Sequence, residues 1–309
     1  MNNNIMVSIC CTTYNHEKYI EEAIKSFLMQ KVNFKFEILI HDDASTDNTA
    51  NIIRKYEEKY PNLIKPIYQK ENQYSKGISV SKILYEKAQG KYIAICEGDD
   101  YWTDPYKLQK QIDYMEANPK CGLCSHAVEK YDEKLKKVVG IIKPYEKDQK
   151  IIMKDLILVG MLIATDSVVV RKENLKFPKF YLECIVGDFP FNIIHATQDY
   201  GYFFSEVMSA YRINTGTSWV DKNTKGYEND RKLKMSLIKM LEGFNQWTNF
   251  KYKKEVKIKI EKMSYKVLKY YWNRNINLSQ EEYEYLLKNL KLTRKIKMYF
   301  KFLFRNLKK

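Results

Sequence analysis

The chain has 309 residues, 45% of them hydrophobic, which is ample for a core and points to one large domain or a domain with an appendage. No window approaches 18 uncharged apolar residues, so no membrane-spanning helix is expected, and Met1-Asn2-Asn3-Asn4 lacks the basic and apolar regions of a secretory leader. The formal net charge is +15, but residues 251–309 hold 18 Lys+Arg against 5 Asp+Glu, a net +13, so the basic excess is a property of the C-terminal part.

Along the first 130 residues, strand and helix patterns alternate. Ile5 to Thr13 is an apolar, β-branched run read as a strand, and Asn15 resembles a helix N-cap before the stripe Ile20, Ala23, Ile24, Phe27 and Leu28. Phe36 to His41 reads as a second strand and Ile64 to Tyr68 as a third, with Ala50, Ile53, Tyr56 and Tyr60 marking a helix between them. Val80, Ile83, Leu84 and Ala88 form another helical stripe, closed by Gly90 as a C′ glycine. Tyr92 to Cys96 is a fourth strand, and Pro105 opens a helix with Leu108, Ile112 and Met115 facing inward. Further on, Val168-Val169-Val170 and Val207 to Ile213 read as strands, and Gly187-Asp188-Phe189-Pro190 opens a short helical run through His195. Thr215 to Trp219 reads as a flexible polar loop. After about residue 225 the pattern is almost wholly helical, with a capping box at Ser279-Gln280-Glu281-Glu282.

Strands alternating with helices at this spacing predict an α/β fold with a mostly parallel sheet flanked by helices. Ligands of such sheets bind beyond the carboxyl ends of the strands. Two acidic turns, Asp42-Asp43-Ala44-Ser45-Thr46-Asp47 and Glu97-Gly98-Asp99-Asp100, and the segment Thr12-Thr13-Tyr14-Asn15 all fall at such ends and are expected to converge on one crevice. Three carboxylates within four residues repel one another unless a cation joins them. Hard oxygen ligands suit Mg²⁺ or Mn²⁺ with positions left for a phosphate-bearing substrate. A solvated acidic turn capping the next helix is the plainer alternative.

Three blocks, Val7 to Asn15, Glu37 to Asp47 and Gly90 to Asp100, in this order and spacing, resemble a family 2 glycosyltransferase of GT-A fold over roughly residues 5 to 220. The resemblance implies a GT-A domain over 1–220, with a nucleotide-sugar half at about 1–105 and an acceptor half at about 106–220, followed by a helical basic extension over 221–309. It implies an inverting, metal-dependent transfer from a nucleotide sugar, UDP-linked by default, to a hydroxyl of a glycan or lipid-linked glycan in surface polysaccharide assembly. Thr12 and Tyr14 map to nucleotide contacts, Asp43 to nucleobase recognition, and Glu97, Asp99 and Asp100 to the metal motif, with Asp99 also on the nucleotide-sugar side. Glu97 stands where an aspartate is more usual. Asp188 maps to the general base and Arg212 to a diphosphate contact, while Asn214 replaces a frequent histidine and weakens that loop as a metal ligand.

Each of these residues also has a purely structural account. Asp43 and Asp188 suit helix caps, Tyr14 suits core packing, and Arg212 suits an ordinary ion pair. Cys121-Gly122-Leu123-Cys124 with His126 has a zinc-like look but lacks a second pair, so the six scattered cysteines read as reduced thiols of a cytoplasmic protein. In the tail, Leu292, Ile296, Tyr299, Phe300, Leu303 and Leu307 fall on one side of a helical wheel and the basic residues on the other. That pattern suits either an interfacial helix on the inner, anionic face of a membrane or a terminal helix packed on the protein. Nucleic acid is not expected, because the first 220 residues have no net basic character. A non-catalytic nucleotide-sugar-binding or scaffold protein of the same fold is the alternative to an enzyme.

Overall fold

The computed structural model describes residues 5–160, 162–216, 226–274 and 278–298. The chain divides into two compact units, the first comprising Met1–Leu156, Met161–Lys176 and Phe191–Asn223, the second Ile157–Gly160, Phe177–Pro190 and Thr224–Lys309.

The first unit is built on one sheet. Its strands are β1 (Val7–Thr13), β2 (Phe36–Asp42), β3 (Ile64–Tyr68), β4 (Tyr92–Ile95), β5 (Tyr101–Trp102), β6 (Cys121–Asp132), β7 (Lys137–Ile142), β8 (Gln149–Ile151), β9 (Val169–Arg171) and β10 (Tyr200–Ile213). They lie in the order β3-β2-β1-β4-β9-β6-β10-β5, with β7 on β6 and β8 on β10. The block β3-β2-β1-β4 is wholly parallel. Between β4 and β6 runs β9, antiparallel to both, while β6 and β10 pair in parallel.

Helices α1 (Ile20–Leu28), α2 (Thr49–Lys59), α3 (Val80–Lys87) and α4 (Lys107–Ala117) follow their strands as the periodicity predicts. Ile20, Ala23, Ile24 and Phe27 of α1 and Leu108, Ile112 and Met115 of α4 are buried in the same core as β1, β2 and β4. At roughly 25 cal/mol per Å² of apolar surface removed from water, this shared layer is what fixes the sheet. The chain leaves β1 toward β2 and β3 and returns to β4 on the other side of β1. That reversal puts a crevice at the carboxyl ends of β1 and β4.

Two local expectations are corrected. Asn15 does not cap α1; Tyr19 holds the N-cap position, and Asn15 adopts the left-handed conformation at φ 57°. Its Oδ1 accepts the Thr46 N–H at 2.8 Å, and its own N–H donates to Ser45 Oγ at 2.9 Å, so it stitches the loop after β1 to the loop after β2. Gly90 is not a left-handed C′ residue. A Cβ there would lie 2.4 Å from the backbone nitrogen of Ser8, so glycine is required by the close approach of β1.

The second unit contains the short α6 (Lys179–Leu182) and the helices α8 (Tyr227–Trp247), α9 (Lys253–Asn273) and α10 (Gln280–Lys288). Leu237, Ile238, Leu241 and Phe244 of α8 and Val256, Ile260, Val267 and Leu268 of α9 are buried. Ser279 caps α10, accepting the Glu282 N–H at 3.2 Å as the capping-box pattern predicts. Helices α5 (Met153–Val159) and α7 (Asp188–His195) include residues of both units. No helix among the described residues is long and apolar enough to cross a membrane.

Of the basic tail, residues 299–309 lie outside the described residues. In the part before them, Arg294 Nη1 lies 3.5 Å from the buried Glu261 and Met298 is buried, whereas Leu292 and Ile296 are exposed at 72% and 46%.

Candidate active site

Two consecutive carbonyls at the end of β1 gather the acidic turns. Thr12 O accepts the Gly98 N–H at 2.9 Å, and Thr13 O accepts the Asp43 N–H at 3.0 Å. Gly98 passes so close that a Cβ would meet the Thr13 side chain at 2.8 Å. The turn after β4 is therefore pressed against the end of β1, as the sheet order requires.

In that turn, one carboxylate oxygen from each of Glu97, Asp99 and Asp100 falls within 4.8 Å of the others. It is the only such group of three or more potential metal ligands among the described residues. Asp99 and Asp100 are buried, Glu97 less so. Asp100 Oδ1 accepts the Arg212 N–H at 2.7 Å, while Oδ2, also buried, has no hydrogen-bond partner among the described residues. Burial, then the charges of Asp99, Asp166 and Glu97, push the Asp100 carboxyl well above the usual carboxylate range. An unmet buried oxygen amid crowded carboxylates is the environment a hard divalent cation relieves, and the donor set fits Mg²⁺ or Mn²⁺.

Arg212 holds this turn from the sheet side. Its Nη1 donates to Asp99 O at 2.6 Å, its Nε to Glu133 at 2.8 Å, and its Nη2 pairs with Glu22. The guanidinium lies 4.3 Å from the Tyr101 ring centroid. It is buried and bonded to protein partners, so a phosphate would have to displace Glu22, the exposed member of the set. Asn214 donates to Asp132 at 2.8 Å. A cavity of about 430 Å³ opens beside Arg212 between Tyr19, Tyr101, Tyr131 and Lys136.

The Asp43 carboxylate is bonded to the loop after β3. Its Oδ1 accepts the Gln73 N–H at 2.7 Å and its Oδ2 the Tyr74 N–H at 3.0 Å, so it orders the loop after β3 while each oxygen keeps a second lone pair. It does not cap α2, which answers that structural alternative. Thr12 and Tyr14 are partly exposed at the end of β1, and the Tyr14 side chain makes no hydrogen bond among the described residues.

Thr12, Tyr14, Asp43, Glu97, Asp99, Asp100 and Arg212 all belong to the first unit, and Asp188 belongs to the second. Asp188 opens α7, partly buried, with its Oδ1 accepting the Phe189 N–H at 2.7 Å. Burial raises its carboxyl above the ordinary range.

Sequence reasoning missed His16, whose Nε2 lies 3.8 Å from Asp99 Oδ2, the half-buried Glu133 that pairs with Arg212, and the buried Asp166. The local signal for Asp166 is a lone acid at the mouth of the run Val168-Val169-Val170. All six cysteines are free thiols, and Cys121 and Cys124 are buried in β6.

Comparison with known proteins agrees with this geometry. A protein of Mycobacterium tuberculosis is 34% identical over 215 residues, covering 69% of this chain and 60% of that protein, so the chain spans about three fifths of the relative's length. The UDP-Glc:alpha-D-GlcNAc-diphosphoundecaprenol beta-1,3-glucosyltransferase WfaP of Escherichia coli is 38% identical over 112 residues, 36% of this chain and 41% of the relative. Among solved structures, S. aureus TarS 1-349 in complex with UDP-GlcNAc superposes with a TM-score of 0.58 at 16% identity, covering 94% of this chain and 83% of that one, which shows the shared GT-A fold. The family model of glycosyl transferase family 2 matches residues 8–173, more than half of the sequence and both acidic turns, and the chain belongs to that family.

Proposed function

We propose that the chain is an inverting glycosyltransferase that moves a sugar from a nucleoside diphosphate sugar, UDP-linked by default, to a hydroxyl of a glycan or lipid-linked glycan during surface polysaccharide assembly. The observation that carries this reading is the carboxylate triad at the end of β4, with Asp100 Oδ2 unmet, bound to the same β1 terminus that carries Thr12 and Tyr14 and that accepts the Asp43 N–H. The names of the two relatives support the donor class: TarS is crystallised with UDP-GlcNAc, and WfaP is named as using UDP-Glc on a diphosphoundecaprenol-linked acceptor.

Asp99 and Asp100, with Glu97 as a weaker third, would hold a divalent cation, which supplies Lewis-acid neutralisation of the departing diphosphate. Around it the chain's own groups do the rest. The Tyr14 ring offers an apolar face to a nucleobase, and the spare lone pairs of Asp43 accept from a ring N–H. Arg212 holds the acidic turn in place and meets the diphosphate by exchanging Glu22 for it. Asp188 takes the acceptor hydroxyl's proton as that oxygen attacks the anomeric carbon, which passes through an oxocarbenium-like state. A carboxylate raised by burial is a stronger base than one in water, which suits this task. Attack from the face opposite the leaving diphosphate inverts the anomeric configuration.

Incubation with Mn²⁺ and UDP-, GDP- and dTDP-sugars tests the reading. Slow sugar release to water from one donor is expected, dependent on Mn²⁺ and lost in Asp99→Asn. No release or transfer from any donor, with Asp99→Asn indistinguishable from wild type, contradicts it and favours a non-catalytic role.

A further inference from the structure

Behind the carboxylate triad lies a second charged group that the proposed chemistry does not use. Asp166 and Lys107 are both fully buried, at 0% exposure. The Nζ of Lys107 has no hydrogen-bond partner among the described residues, and the Asp166 carboxylate has the Ser209 hydroxyl beside it. Asp166 is placed there by structure on three sides. The Trp102 Nε1–H donates to its carbonyl at 2.9 Å, the Ile95 N–H donates to Val168 O at 3.0 Å, and Ser209, which pairs with Trp102 in the sheet, lies beside its carboxylate. The segment thus sits against the end of β4 and against β5, the two strands that flank the acidic turn. Lys107 approaches from α4, its Nζ 4.0 Å from the Trp102 ring centroid. Two fully buried opposite charges are costly to hold in an apolar core.

We propose that Asp166 is a positioning residue of the cation site, a fourth carboxylate that strengthens cation binding from behind Asp100 without coordinating, and that Lys107 is the counter-charge that keeps Asp166 tolerable in the cation-free protein. The inference rests on the cation reading of Glu97, Asp99 and Asp100. Asp166 acts electrostatically on Asp100, and Asp99 on Asp166, whereas Lys107 acts chiefly on Asp166 among these acids. Removing the charge at 166 therefore weakens the field at the cation, and removing the charge at 107 as well offsets part of that loss. Removing only one member of the pair strands the other in the core.

The test is a calorimetric titration of the full chain with Mn²⁺ in the presence of UDP, alongside melting temperatures without Mn²⁺. The proteins are wild type, Asp166→Asn, Lys107→Met and the double variant. Mn²⁺ affinity is expected to fall on the order of tenfold in Asp166→Asn and by a smaller factor, still below wild type, in the double variant. The melting temperature is expected to drop in each single variant and to recover in the double variant. Affinity thus follows the carboxylate at 166, and stability follows the balance of the pair. If Asp166→Asn does not fold, the double variant carries the affinity comparison. Lower melting temperatures with unchanged Mn²⁺ affinity overturn the proposal and leave the pair a packing feature. Absence of Mn²⁺ binding in wild type overturns the cation reading itself, a separate and distinguishable failure.

Discussion

Replacing Arg212 with methionine tests how the acidic turn is held. The guanidinium donates to Asp99 O at 2.6 Å and to Glu133 at 2.8 Å, pairs with Glu22, and stacks 4.3 Å from Tyr101. Hydrogen bonds to charged groups each contribute about 1.5–3 kcal/mol, offset in part by the cost of burying the cation. Methionine fills much of the volume but removes one of the cations that pair with Glu133, leaving Lys136 to hold an acid whose side chain is only 9% exposed. Because the acid keeps that partner, the expected loss is about 2–3 kcal/mol, below the cost of a fully stranded buried charge. Lysine in its place keeps the charge but cannot reach three partners at once, so roughly half that loss is expected. Urea unfolding near neutral pH measures the difference, and Mn²⁺ titration in the presence of UDP should show weaker binding in the folded variant. A loss below about 1 kcal/mol, with Mn²⁺ binding intact, would refute the view that Arg212 positions the turn.

Three further outcomes follow from the same structure. Asp188→Asn should lower kcat by about 10²–10⁴-fold while leaving UDP affinity unchanged, as steady-state kinetics and a UDP titration would show; an unchanged kcat removes Asp188 as the base. His195 is held neutral by burial, its pKa lowered from 6.5 to about 4, so the unfolded chain takes up the proton first as pH falls. Its contribution to stability is therefore complete above pH 6.5 and is lost toward pH 4, by about 3 kcal/mol relative to His195→Gln, in paired urea titrations across that range. Gly90→Ala places a Cβ 2.4 Å from Ser8 N and should cost about 1–3 kcal/mol in thermal or urea unfolding, because β1 and β4 must separate to admit it.

The alternating strands and helices of the first 120 residues were legible because local periodicity coincides with tertiary burial there. Ile64–Tyr68 is a strand with the bounds expected, and the triad Glu97, Asp99 and Asp100 lies at a strand end. Asn15 was misread because its side chain serves a neighbouring loop, a partner 31 residues away that no local pattern reveals. Gly90 was misread for the same reason, its constraint coming from Ser8 across the sheet. That Arg212 is held by Glu133 and Glu22, 79 and 190 residues away along the chain, is invisible to any local pattern. Lys107 and Asp166 escaped notice since buried charges are rare, and the inward stripe of α4 was read from its apolar members alone.

The central claim is that the turn at Glu97, Asp99 and Asp100 is a divalent-cation site serving a nucleoside diphosphate. Calorimetric titration of Mn²⁺ into the full chain with UDP present, for wild type and Asp99→Asn, tests it most directly. The account predicts saturable binding of a single Mn²⁺ in wild type and its loss in the variant. Equal binding by both proteins, or none by wild type, would contradict it.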